Sequence, residues 1–204
     1  AGPSVPLTSD LDPVAELNWF AEEAARSLFA GGKIEEALAW YRVAAQDKEI
    51  SNEAASSERA LWPLAILADS SNTVALTDDR LTAWCKARQQ ADPKTGTKQV
   101  RTLFALMAAL GRPVSNKIWR PMIYTSFDGD DTGLNVAWQS RVDSAAGSRL
   151  LGETILLATV GAAESDDGIL KLGDALRLIH ALRAVGLERD AQLLAIETAM
   201  SSGL

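Results

Sequence analysis

The chain has one cysteine and one histidine among its 204 residues. A single thiol, Cys85, excludes an internal disulfide and a multi-thiolate metal site, and suits either a reducing cytoplasm or a cysteine-poor bacterial envelope. With His180 alone there is no histidine pair to bind a metal, and Cys85 and His180 could act together only through tertiary contact. Seven prolines lie mostly outside the apolar runs. β-branched and aromatic alternation is scarce, which leaves little to build strands from. No apolar stretch reaches the roughly 18 to 20 charge-free residues that a membrane-spanning helix needs. A phosphate loop, Gly-x-Gly-x-x-Gly and Gly-x-Ser-x-Gly are all missing, which argues against nucleotide enzymes and hydrolases alike.

What is abundant is alanine and leucine at helical spacing, in a chain that is 47% hydrophobic. Ala21, Ala25 and Leu28 lie along one face of a first helix. Gly31-Gly32 break it, and Ile34, Ala37, Leu38, Tyr41 and Ala44 repeat on a second. Such a hairpin cannot bury its apolar stripe alone and calls for neighbours. The expected fold is therefore all-α, with antiparallel helical hairpins stacked as a short α-solenoid. Residues 1–11 are expected to be a flexible segment and 12–204 one helical domain. The Ala/Gly/Pro/Ser-rich start suits a trimmed leader, the end of a linker or a cloning boundary equally.

Helix punctuation can be read locally. Asp12-Pro13 predicts a helix start, with Asp as cap and Pro at the first position. Further helices are expected over 33–46, 52–69, 77–91, 98–110, 115–124, 134–144, 148–162, 167–185 and 188–201. Pro63 should kink or split the third, and residues 92–96 should end the fourth. Gly111 and Gly186 each close an apolar helix where a left-handed turn is required, and the stretch from Ala24 to Gly31 echoes them.

Residues 18–49 resemble a tetratricopeptide unit on Ala21, Ala25, Leu28, Gly32, Ile34, Ala37, Tyr41 and Ala44, about one sixth of the chain. They depart from it at Ala24, where leucine is usual, and at Glu49, where the closing proline is usual. The segment from Leu176 to Gly203 resembles the helical ends of uncharacterised exported proteins of high-GC bacteria. Both resemblances imply a non-catalytic scaffold or adaptor; no cofactor is expected, and the compartment stays open, with a bacterial periplasm or cell envelope favoured slightly over the cytoplasm. The alternative is a helical accessory domain of a peptidoglycan-processing enzyme or a glycan-binding module. An array of this kind can also self-associate into a homodimer through an uncapped end.

Charge is uneven. Between residues 86 and 120 stand Lys86, Arg88, Lys94, Lys98, Arg101, Arg112, Lys117 and Arg120 against one acid, Asp92, in a chain of net charge −7. With Trp119 among them, these residues are the expected contact for a protein or peptide partner, an acidic peptide being the kind their charge would attract. The competing reading has them facing the acidic flanks within the fold. The acidic balance and the absence of any recognition motif exclude nucleic acid from the expected partners.

Three further motifs stand out. Asp128 to Gly133 resembles half of a calcium loop, but Gln139 stands where the bidentate carboxylate belongs, so an acidic turn is expected and no metal site. Glu164-Ser165 resembles the Glu-Ser dipeptide of lytic transglycosylases without the Gly-Leu-Met-Gln type of signature that follows it there. The six tryptophans (Trp19, Trp40, Trp62, Trp84, Trp119 and Trp138) read as the large half of a large-small packing scheme with the alanines. His180, beside Ile179 and Leu182, and Cys85, after Trp84, read as packing residues.

Overall fold

The computed structural model describes residues 11–46, 49, 51–112, 114, 134–165 and 168–204. Among them the fold is all-α. A 3₁₀ turn at Ala15–Leu17 precedes nine helices: α1 Asn18–Ala30, α2 Ile34–Ala44, α3 Asn52–Ala68, α4 Asp78–Ala91, α5 Pro93–Ala109, α6 Val136–Gly147, α7 Leu151–Glu164, α8 Leu172–Ala184 and α9 Glu188–Ser201. No helix among the described residues is long and apolar enough to cross a membrane. The helices expected over 115–124 and the calcium-like loop lie outside the described residues, as do Lys117, Trp119 and Arg120.

Successive helices pair as hairpins, α1 with α2, α4 with α5, α6 with α7 and α8 with α9, and the hairpins stack. The stacking does not follow chain order throughout. α3 lies on α1 and α2, and α9 returns from the far end of the sequence to pack on α3, α1 and α5. α8 packs on α5 and α6. The main core accordingly joins Leu28, Trp40, Leu61, Trp62, Leu103, Phe104 and Ile196, residues from both ends of the chain. A smaller cluster of Trp138, Val142, Leu178 and Ala181 joins α6 to α8.

The two Asp-Pro pairs exchange the roles expected of them. Residues 12–14 are not helical, whereas Asp92 caps α5, accepting from the amides of Lys94 and Thr95 at 3.0 and 3.1 Å, with Pro93 as the first helical residue. Residues 92–96 thus start a helix immediately as α4 ends. Tertiary packing favours this: Gly96 is buried against the backbone of α4, and a methyl group there would collide with the carbonyl of Arg88. Only glycine lets the two helices approach so closely.

Pro63 does not divide α3, which runs unbroken from Asn52 to Ala68. Having no N–H, Pro63 leaves the carbonyl of Arg59 without its partner four residues on. The indole Nε1–H of Trp84 donates to that oxygen at 3.3 Å. A donor from α4 thereby offsets the defect in α3.

The glycine stops fall as expected at α5 and α8, where Gly111 and Gly186 have φ of +68° and +86°. In the first hairpin Gly32 rather than Gly31 takes the left-handed turn, at φ +70°. Each is followed by an amide that reaches back to the helix: Lys33 to Leu28, Arg112 to Met107 and Leu187 to Leu182, at 2.8 to 2.9 Å. This satisfies carbonyls that the helix end would otherwise orphan.

Candidate partner-binding surfaces

Beginning with the residues of the expected basic contact, the structure divides them. Lys94, Lys98 and Arg101 are spaced at four and three residues on α5, which places them in one row. Lys94 and Lys98 are exposed, as is Lys86 on α4. Arg112 is drawn into the fold. It donates from Nη2 to the carbonyl of Leu67 at 3.2 Å, completing the C-terminal end of α3. Burial lowers its pKa, opposed by the charge of Asp69. Gln192 of α9 serves the same helix end, donating to the carbonyls of Leu67 and Ala68 at 2.9 and 2.6 Å. A cation at a helix C-terminus also opposes the negative end of the macrodipole.

Arg88 is half-buried, with its guanidinium 5.6 Å from the ring centroid of Trp84. Its pKa is lowered, first by burial and then by the charges of Arg26 and Arg59, with Glu22 acting in the opposite sense. Arginines of α1 and α3 thus act on the guanidinium that α4 contributes. Composition along the chain hides this cluster, because Arg26 and Arg59 belong to the acidic N-terminal third. The only sequence-level trace is that Glu22 and Arg26, one helical turn apart, form an ion pair at 3.4 Å. Arg26 is further held by the carbonyl of Leu204 at 3.1 Å. Arg59 is exposed.

Both readings of the basic segment thus find residues that fit them. Arg88 and Arg112 face acids of the N-terminal third, Glu22 and Asp69, whereas Lys86, Lys94 and Lys98 are displayed.

The adjoining faces of α2, α3 and α4 are joined by a charged network. Tyr41 donates its hydroxyl to Glu58 Oε1 at 3.0 Å, and Arg80 pairs with the same carboxylate and donates to the Tyr41 hydroxyl at 3.1 Å. Arg80 also lies over the ring of Trp62, 4.9 Å from its centroid. Burial raises the Tyr41 pKa, against the Arg80 charge and the Arg80 hydrogen bond. Glu58 is only 8% exposed, and its paired and hydrogen-bonded state is what makes that burial tolerable.

Concavities also lie away from this network. A cleft of about 750 Å³ lies between helix ends, bordered by Lys33, Glu35, Arg112, Arg183, Glu188 and Gln192. Arg183 spans it to the Ala109 carbonyl at 2.7 Å. A groove of about 550 Å³ runs beside α6 and α8, edged by Asp143, Arg177 and His180. His180 is exposed there rather than packed. Cys85 is buried as expected, and burial raises its pKa to about 11 against a backbone hydrogen bond.

Four tryptophans follow the packing expectation. Trp40, Trp62, Trp84 and Trp138 are 1 to 6% exposed, but Trp19 is 78% exposed. Gln139, at the calcium-ligand position, is committed elsewhere: its amide donates to Leu134 and to buried Asp174, both at 3.1 Å. Among the described residues no group of three or more acidic, histidine or cysteine side chains is placed to hold a metal. Glu164-Ser165 closes α7, with the Ser165 hydroxyl donating to the carbonyl of Ala162 at 2.8 Å.

Models of protein families, curated proteins and solved structures give no match to this chain.

Proposed function

We propose that this chain is a non-catalytic scaffold or adaptor of the α-solenoid type, which holds an acidic segment of a partner protein on the basic surface of α1, α3 and α4. The observation that carries this reading is that Arg59 and Arg80 line one concavity with Trp62 and Trp84, while the Arg88 guanidinium lies 5.6 Å from the centroid of the same Trp84 ring. Like charges held together by the fold cost free energy in the unliganded protein. A carboxylate-rich ligand relieves that cost as it binds. Trp84 offers an aromatic face beside the same guanidinium, and the exposed Lys86, Lys94 and Lys98 extend the field that steers an acidic partner toward it.

A glutamate-rich helical peptide is the direct probe, titrated by fluorescence anisotropy at low salt and near molar salt. Arg59 is exposed, so Arg59→Glu should leave the fold intact. It should weaken binding about tenfold at low salt, and native binding should fade as the Debye length falls below about 10 Å. Peptide binding that ignores both Arg59→Glu and salt would move the contact off this surface. Failure of the peptide to bind at all would remove the acidic-partner reading.

A further inference from the structure

α7 is the anomaly of the fold. Its 14 residues, LGETILLATVGAAE, contain only two charges, both glutamates. Glu153 is paired with Arg141 of α6, and Glu164 is the last residue. Successive helical residues are rotated by about 100°. Thr154, Leu157, Ala158 and Gly161 therefore share the side turned to α6, where Trp138 lies 2.6 Å from the Cβ position of Gly161 and donates to the Leu157 carbonyl at 2.9 Å. The opposite half of the helix is exposed although its composition is apolar. Leu151, Ile155, Leu156 and Val160 are 47, 46, 62 and 37% exposed there. Gly152, Thr159, Ala162 and Ala163 fill the rest of that half-circumference, all exposed and uncharged.

We propose that the exposed half of α7 is a homodimer interface, in which two copies of this chain pack α7 antiparallel about a twofold axis. Three features of the face select a second copy as the occupant. The first is its area. With the small residues between them, the exposed aliphatic side chains make a patch of roughly 600 Å². That lies at the upper limit for the largest patch of a monomer, and covering it on both copies removes about 1,200 Å², the lower bound of a standard interface.

The second is shape: Gly152, Thr159 and Ala163 run between two ridges, Leu151 with Ile155 and Leu156 with Val160. A methyl group added at Gly152 would meet nothing within 4 Å among the described residues. In an antiparallel pair about a twofold axis equivalent ridges meet on the same side of the seam, Leu151 and Ile155 beside the other copy's Ile155 and Leu151, and the small residues Gly152, Thr159 and Ala163 along the centre let the two helices approach. The third is charge at the ends. Arg149 is exposed in the turn before α7, and Glu164 is exposed at its far end. Antiparallel pairing brings each Arg149 toward the other copy's Glu164, and the helix dipoles are then also complementary. The same patch on both copies is what twofold symmetry requires.

This surface lies on a different part of the molecule from the arginine cluster, so the dimer and the acidic-partner reading stand or fall separately. The test is sedimentation equilibrium of the full chain from micromolar to near-millimolar concentration. The native chain is expected to pass from monomer to dimer. Ile155→Glu/Leu156→Glu should raise the dissociation constant at least a hundredfold, with circular dichroism, and the melting temperature at concentrations where the native chain is monomeric, retained because both side chains lie on the exposed half of α7. Glu164→Arg should weaken the dimer severalfold, and adding Arg149→Glu should restore it. A native chain that stays monomeric throughout, or a dimer indifferent to the two glutamates, would overturn the interface. A charge swap that fails to restore association would overturn the antiparallel arrangement.

Discussion

The junction of Pro63 and Trp84 yields a prediction that separates hydrogen bonding from packing. Pro63 deprives the Arg59 carbonyl of its helical donor, and the Trp84 indole at 3.3 Å replaces it. Trp84→Phe removes that donor and some ring volume from a site that is 3% exposed. Its cost is then the hydrogen bond, about 1 kcal/mol net, plus about 1 to 2 kcal/mol of lost packing. Pro63→Ala supplies an N–H from within α3. In that background the Arg59 carbonyl has its helical partner, and Trp84→Phe should cost only the packing. The double-mutant cycle should therefore show a coupling of about 1 kcal/mol, or roughly 2 to 4 °C in Tm for a chain of this size. Urea denaturation of the four proteins with a shared m-value reads it directly. A coupling below about 0.3 kcal/mol would refute the idea that α4 repairs α3, leaving Trp84 as a packing residue only.

Three other expectations follow from single positions. Gly96→Ala places a methyl group against the Arg88 carbonyl, so it should destabilise by about 2 kcal/mol or more in thermal melts, although alanine is the better helix former. Thr154 is fully buried, and its hydroxyl has no hydrogen-bond partner among the described residues. Thr154→Val should stabilise by about 1 kcal/mol in the same assay, since the shape is retained and an unsatisfied polar atom is removed. Cys85 has its pKa raised by burial from 9.0 to about 11. The stability gained from keeping this thiol neutral is complete below about pH 9 and is lost as pH rises toward 11. At pH 8 only about one molecule in a thousand carries the thiolate, so alkylation should be about a hundredfold slower than in denaturant. Rapid labelling of the folded chain would contradict the burial of Cys85.

Sequence periodicity determined the helical class, the first hairpin and the glycine stops at Gly111 and Gly186, because these depend on residues three or four apart and on the φ a single position must adopt. Capping chemistry was equally local but ambiguous. Asp12-Pro13 and Asp92-Pro93 are the same signal, yet only the second starts a helix at once, because Gly96 beyond it lets α5 close on α4. Tertiary structure alone decided where charge accumulates. The basic segment is contiguous in sequence, but Arg112 is spent on the end of α3, and Arg88 gathers Arg26 and Arg59 from a stretch whose balance is acidic. It also decided which apolar residues stay exposed. Leu156 and Leu157 are neighbours in the chain, and the 100° step between them turns one toward solvent and the other toward Trp138. A sequence specifies the spacing of such residues; which side of the helix meets a neighbour is settled only when α6 and α8 arrive to cover one half and leave the other bare.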